Sequence, residues 1–184
     1  VDTIKEDTWI KDDITPYELY LKMLFEYFKE DINIDQEIEL HLPRGFMRLE
    51  YQHQAVLNAK KILEGYHGVF LADVVGLGKT FISALLAQQL QGGKLIICPP
   101  VLKEYWEKTL FDFNVTQFKV ESLGKLERLK DESHMYKYVF IDEAHRFRNE
   151  YTQGFEHLDT ICKGKKVVLV SATPINNRFD DLLA

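Results

Sequence analysis

The chain has 184 residues, of which 46% are hydrophobic and 28% are charged, and its net charge is −6. This composition allows a sizeable core and argues against disorder, and no apolar run approaches the ~20 residues of a membrane helix, so no membrane partner is expected. Residues 1–50 carry six Lys/Arg and thirteen Asp/Glu, so the bulk charge does not indicate a nucleic-acid binder, but it leaves room for a local strip of contacts.

The two cysteines, Cys98 and Cys162, are far apart in the chain and lie in or beside apolar stretches. This placement favours reduced, packed thiols in a cytoplasmic protein over a disulfide framework. The spacing of the Cys and His residues does not indicate a zinc site.

Residues 1–45 are predicted to form an acidic helical extension. Thr15 followed by Pro16 is typical of a helix start, and apolar residues recur at three- and four-residue steps over 17–29. We expect this helix to dock on the domain that follows, residues 46–184; the alternative is contact with an upstream domain.

Short apolar strands alternate with amphipathic helices over residues 46–184. The predicted helices are 51–63, 80–90, 102–113, 123–130 and 152–161. The predicted strands are 69–72, 95–98, 118–122, 138–141 and 167–170. This alternation predicts an α/β fold with a parallel sheet covered on both faces, whose functional residues lie at the carboxyl ends of the strands.

A glycine-punctuated loop joins the first strand to the helix that begins near Thr80. Free backbone N–H groups at a helix start attract anions, and glycines let the backbone close round a phosphate. The predicted phosphate-binding residues are Gly76, Leu77, Gly78, Lys79 and Thr80. Lys79 is expected to reach the β- and γ-phosphates and the Thr80 hydroxyl to hold Mg²⁺. The strict pattern has glycine where this chain has Asp73, so a chance Gly-Lys-Thr in a turn is the alternative.

Two carboxylates follow the fourth strand directly. Asp142 at that place can hold Mg²⁺ through water, and Glu143 can orient or deprotonate an attacking water. Glu143 and Lys79 are therefore the candidate catalytic residues. The alternative, that the acidic pair caps the next helix, is disfavoured by the phosphate-binding pattern upstream.

Four segments, in this order, resemble the motor of superfamily-two DNA translocases and helicases, and most closely its Swi/Snf-like, DEAH-box branch. They read VFLADVVGLGKT, LIICPPVLKEYW, VFIDEAHRFRN and VLVSATPINN. Tyr51 and Gln52 resemble the adenine-reading Q motif, and Asp73 is the residue that this branch carries in its loop. Two departures are Val74-Val75, in place of an acidic-methionine pair, and Ser-Ala-Thr at 171–173, which is more helicase-like.

The resemblance implies a P-loop NTPase of RecA-like fold, a three-layer α/β sandwich, forming the first of two lobes with the second absent from this chain. It implies ATP and Mg²⁺ as cofactors, and ATP hydrolysis that drives movement on nucleic acid, DNA rather than RNA, once the second lobe is joined. The isolated fragment is expected to be inactive. A nucleotide-binding switch or scaffold without turnover is the alternative, and Glu143 discriminates because such a module does not need it.

The resemblance also assigns roles to residues outside the nucleotide site. The implied nucleic-acid contacts are Pro99, Pro100, Lys103 and Ser122, and the implied coupling residues are Ser171, Ala172 and Thr173. The place of His145 behind the acidic pair favours a coupling role for it as well; a surface histidine is the alternative. Residues 15–20 and 73–76 are similar to bacterial helicases fused to a phospholipase-D-like nuclease, which implies a bacterial protein with an upstream nuclease domain. Trp106 is predicted to be a core residue rather than a base-stacking platform.

Overall fold

The computed structural model describes residues 40–47, 49–72, 78–147 and 152–171. These residues belong to the second of the two units into which the chain divides, Ile38–Ala184. The predicted helix at 17–29, the loop residues 73–77 and the segment after Ser171 lie outside the described residues. The domain boundary after residue 45 stays a prediction.

All the helices and strands predicted between residues 46 and 171 are confirmed, with ends that shift by a few residues. The helices are α1 (Glu50–Tyr66), α2 (Lys79–Gln89), α3 (Lys103–Asp112), α4 (Leu126–Glu132) and α5 (Gln153–Cys162). The strands are β1 (Gly68–Ala72), β2 (Lys94–Cys98), β3 (Phe118–Ser122), β4 (Tyr138–Asp142) and β5 (Lys166–Ser171). No helix in this part of the chain has the length and apolar character needed to cross a membrane.

The five strands form one parallel sheet in the order β1-β5-β4-β2-β3. Every residue of β2 and β4 is buried, which explains why these strands read as continuous apolar runs. Because the strands are parallel, their carboxyl ends meet at one edge of the sheet. There Ser171 lies opposite Ala72, and Asp142 lies opposite Val170.

Helices cover both faces of the sheet, so the predicted three-layer sandwich is confirmed. On one face α1, α2 and α3 contribute Leu63, Leu86 and Leu110 to a common core. On the other face α4 and α5 contribute Leu129 and Ile161 to a second core. Burying an aliphatic side chain of this size stabilises a fold by about 1.5–3 kcal/mol, so the two cores fix the sheet that positions the site.

Candidate nucleotide site and nucleic-acid edge

Gly78 fixes the junction between the predicted phosphate loop and α2. Its φ of 83° lies in the left-handed region, which only glycine adopts at little cost. A β-carbon at this position would lie 3.2 Å from Gln52 Nε2 and 3.2 Å from Phe81 Cδ2. Any other residue at position 78 would therefore strain the backbone and require the Gln52 and Phe81 side chains to shift. Of the predicted loop residues, Gly76 and Leu77 lie outside the described residues.

Gln52 meets the start of α2 although it lies 26 positions before Gly78 in the sequence. It stands in the first turn of α1, is 9% exposed, and donates from Nε2 to the Tyr51 hydroxyl at 3.2 Å. The fold thus brings the adenine-reading candidate to the helix terminus that carries Lys79 and Thr80.

Two donors hold the Asp142 carboxylate at the end of β4. The Trp106 indole Nε1 donates to Oδ2 at 2.8 Å, and the Glu143 backbone N donates to Oδ1 at 2.9 Å. Burial raises the pKa of Asp142 above its usual range; the two hydrogen bonds and the positive charge of Lys79 act against that rise.

Glu143 has a left-handed backbone, with φ at 57°. A non-glycine residue pays roughly 1–2 kcal/mol for this conformation, and such residues cluster at functional sites. The Glu143 carbonyl accepts from Arg146 N at 3.0 Å, and a short 3₁₀ turn, Ala144–Phe147, follows. The Asp142 carboxylate accepts from the amide of the very next residue, and the segment that follows is a 3₁₀ turn instead of an α-helix that the acidic pair could cap.

One of the predicted coupling residues, Ser171, ends the strand that pairs with β4. Ser171 ends β5, is 2% exposed, and lies between the strand that enters the phosphate loop and the strand that ends at Asp142. The His145 backbone is in the 3₁₀ turn after β4. Ala172 and Thr173 lie outside the described residues, and the coupling roles stay predictions.

The four predicted nucleic-acid contacts converge at the neighbouring edge of the sheet. Pro99 and Pro100 follow β2 directly, and Lys103 begins α3 after a 3₁₀ turn. Ser122 ends β3 directly opposite Cys98, the last residue of β2. This edge therefore places a lysine beside the candidate nucleotide site, because β2 and β4 are neighbours in the sheet.

Comparisons with known proteins agree with this arrangement. Residues 111–184 match the SNF2-related domain. A *Bacillus subtilis* protein described as uncharacterized ATP-dependent helicase YqhH is 30% identical over 78% of this chain and 29% of its own length. The ISWI chromatin-remodeling complex ATPase ISW2 of *Saccharomyces cerevisiae* is 24% identical over 88% of this chain and 17% of its own.

A solved structure has a similar fold. The SWI2/SNF2 ATPase core of *Sulfolobus solfataricus*, determined in complex with dsDNA, superposes with a TM-score of 0.69 and 24% identity, over 80% of this chain and 36% of that one. These matches confirm the resemblance to a Swi/Snf-like lobe of superfamily-two helicases. The described part of the chain has the RecA-like fold of one Swi/Snf-like lobe, and the chain spans less than a third of the length of the two curated relatives above.

Glu121 of this Swi/Snf-like lobe lies at the same edge and was not among the residues predicted from the sequence. Its Oε1 lies 3.3 Å from Lys103 Nζ and 3.5 Å from Lys125 Nζ, and accepts from Ser122 N at 3.0 Å. Burial of this carboxylate acts to raise its pKa, but the hydrogen bonds and the two lysine charges lower the pKa below its usual range. Glu121 is thus an ionised anchor that holds two lysines at the edge. Its spacing to Lys125 was no sequence signal, because residues four apart are neighbours on a helix and Glu121 lies on a strand.

The residues present fit a nucleotide-bound Mg²⁺. Within the described ranges, no group of three or more His, Cys, Asp or Glu residues could hold a metal ion. Mg²⁺ in nucleotide sites is bound by one or two carboxylates plus substrate phosphates and waters instead of a protein cage. A Swi/Snf-like lobe with Thr80 in the first turn of α2 and a buried Asp142 carboxylate supplies that kind of partial donor set.

Proposed function

We propose that this chain is the ATP-binding motor lobe of an ATP-dependent DNA translocase or helicase, which hydrolyses ATP to move on nucleic acid when joined to a second lobe. The observation that carries this proposal is the convergence of three segments at the carboxyl end of the sheet. Gln52 reaches the helix start at Gly78, Lys79 begins that helix, and Asp142 ends β4 with Glu143 directly after it.

Each of these side chains has a chemical role in the proposal. Lys79 neutralises phosphate charge, Gln52 recognises adenine, and Glu143 accepts the proton of the attacking water. Thr80 and Asp142 would hold Mg²⁺, which when bound neutralises charge on the phosphate oxygens. The strained backbone of Glu143 supports turnover over a switch that only binds nucleotide.

The proposed partner is duplex DNA. This choice rests on the *Sulfolobus* structure, which was determined in complex with dsDNA, and on the lysine-bearing edge at Lys103 and Ser122. Phosphate contacts of this kind give binding without sequence readout. A cytoplasmic bacterial protein is proposed on the basis of the *Bacillus subtilis* relative and the packed thiols, and an upstream nuclease domain on the resemblance of residues 15–20.

Replacing Lys79 tests the nucleotide site. Lys79→Ala removes a charge-assisted contact to phosphate, so we expect ATP–Mg²⁺ affinity to fall roughly 10- to 100-fold in calorimetric titrations. Lys163→Ala is the matched control because Lys163 is an exposed lysine paired with Asp159 at 3.3 Å, on a turn before β5 at the opposite end of the sheet. Equal affinities for the parent chain and Lys79→Ala would refute the assignment.

Replacing Lys103 tests the nucleic-acid edge. Lys103→Ala should weaken binding to a labelled duplex and reduce the slope of log affinity against log salt by about one, since one phosphate contact is lost. The measurement is fluorescence anisotropy over a salt series that begins at low ionic strength. Lys119→Ala serves as control, because Lys119 pairs with Glu132 and stands on β3 three residues before its carboxyl end. An unchanged slope for Lys103→Ala would remove this residue from the DNA track.

A further inference from the structure

We propose that Trp106 is a positioning residue of the nucleotide site: its indole N–H fixes the Asp142 carboxylate for Mg²⁺–nucleotide and ties that carboxylate to the helix that starts at the nucleic-acid edge. This inference rests on the proposed function and adds to it a residue that carries no charge and touches no substrate. The predicted role of Trp106 was core packing alone, and its 1% exposure confirms that it is in the core.

The contact is specific. The tryptophan side chain has a single hydrogen-bond donor, the indole N–H. In Trp106 it donates to Asp142 Oδ2 at 2.8 Å, and this buried bond joins residues 36 positions apart in the sequence. Burying a carboxylate that lacks hydrogen-bond donors costs free energy. The bond to the indole therefore favours the position of the Asp142 carboxylate in which this bond is made.

The contact also restricts rotation. An aspartate carboxylate rotates easily about its last torsion, because that torsion has a broad energy profile. In this chain one oxygen accepts from the Trp106 indole and the other from Glu143 N, so both ends of the carboxylate are fixed. Each oxygen keeps lone pairs that can face a hydrated metal ion.

The helix that carries Trp106 begins at the nucleic-acid edge. Lys103 is the first residue of α3, and Trp106 lies three residues later, about 4.5 Å along the helix axis. The Lys103 ammonium donates a hydrogen bond to Glu121 on β3, and the Trp106 indole donates one to Asp142 on β4. One rigid helical turn therefore joins the candidate DNA contact to the candidate metal carboxylate.

The test separates positioning from packing. Trp106→Phe keeps an aromatic ring in the core and deletes the N–H donor. We expect ATP affinity in EDTA to stay within about twofold of the parent chain, and the gain in affinity on adding Mg²⁺ to shrink roughly tenfold, because a hydrogen bond to a charged group is lost. Tyr105→Phe is the matched control, because it removes a hydroxyl from the neighbouring residue of the same helix. Tyr105 is 46% exposed, so this change should leave the gain in ATP affinity on adding Mg²⁺ unchanged.

The outcomes are distinguishable. A parent chain that binds no nucleotide in either buffer overturns the proposed function, and this inference with it. A parent chain with a clear Mg²⁺ gain, together with the same gain in Trp106→Phe, overturns the positioning role alone. Equal losses in EDTA and in Mg²⁺ would assign Trp106 to packing only.

A second measurement does not depend on the folding of Trp106→Phe. The chain has two tryptophans, Trp9 and Trp106, so Trp9→Phe leaves one indole N–H signal in a ¹⁵N-labelled NMR spectrum. We expect Asp142→Asn to shift this signal, and ATP with Mg²⁺ to shift it far more than ATP with EDTA. A signal that is insensitive to both changes would overturn the proposal.

Discussion

In a polypeptide that carries both lobes, Glu143→Gln is expected to retain ATP binding and to lose ATP hydrolysis by roughly 10²–10⁴-fold, the usual contribution of a general base. The amide has nearly the same shape as the carboxylate but cannot accept a proton from water. The measurement is phosphate release under saturating ATP and duplex DNA, with nucleotide affinity determined separately by calorimetry.

The matched control for this variant is Glu127→Gln, which makes the same change on the exposed side of α4. The two variants should differ in turnover and agree in affinity. If Glu143→Gln hydrolysed ATP at the parental rate, Glu143 would be only the residue that shapes the turn after β4, and the switch or scaffold function would be favoured.

The backbone around Glu143 explains why the position should be sensitive. Its left-handed conformation is stabilised on one side by the bond from its own N–H to Asp142 and on the other by the bond from Arg146 N to its carbonyl. These bonds offset a strained conformation and set the direction in which the side chain leaves the backbone. A catalytic base must lie within hydrogen-bond reach of its water, so this direction is part of the proposed mechanism.

The 184-residue polypeptide by itself is expected to hydrolyse ATP roughly 10³–10⁵-fold more slowly than a two-lobed polypeptide, and without stimulation by DNA. Phosphoryl transfer is catalysed mostly by positioning and by neutralising charge on the γ-phosphate, and a missing arginine finger accounts for an effect of this size. Lys79 and Mg²⁺ would supply part of the charge from this lobe. The motor resemblance places the completing arginines in the second lobe, and the motifs of this chain are those of the first.

Phosphate release from this polypeptide, with and without duplex DNA, decides that prediction. A two-lobed polypeptide measured under the same conditions provides the positive control. Robust DNA-stimulated turnover by the 184 residues alone would mean that this lobe is self-sufficient, and the proposed dependence on a second lobe would be wrong.

The sheet could be predicted from local pattern because two of its inner strands, β2 and β4, are buried on both faces. In β4, the run Tyr138–Asp142 is apolar until its last residue, so the pattern marks both the strand and the place where the acidic pair emerges. The glycine-rich segment before Lys79 likewise predicts a helix start, because the glycines and the helix start are only a few residues apart in the sequence. Both features depend on local chemistry, which the sequence contains.

The contacts that tie the site together could not be predicted in the same way. The bond from Trp106 to Asp142 depends on how α3 packs on β4, and an apolar aromatic at helical spacing indicates only burial. The approach of Gln52 to Gly78 depends on how α1 packs against α2. Lys94 is a further case: it begins β2 and is 2% exposed, with its ammonium bonded to the Thr116 carbonyl at 3.1 Å.

A crystal structure of the chain with Mg²⁺ and a non-hydrolysable ATP analogue would show most directly whether this chain is an ATP-binding motor lobe. We expect the triphosphate at the start of α2 against Gly78 and Lys79, Mg²⁺ held by Thr80 and Asp142, and adenine beside Gln52. A nucleotide bound elsewhere, or a start of α2 that stays empty at saturating analogue, would contradict this expectation.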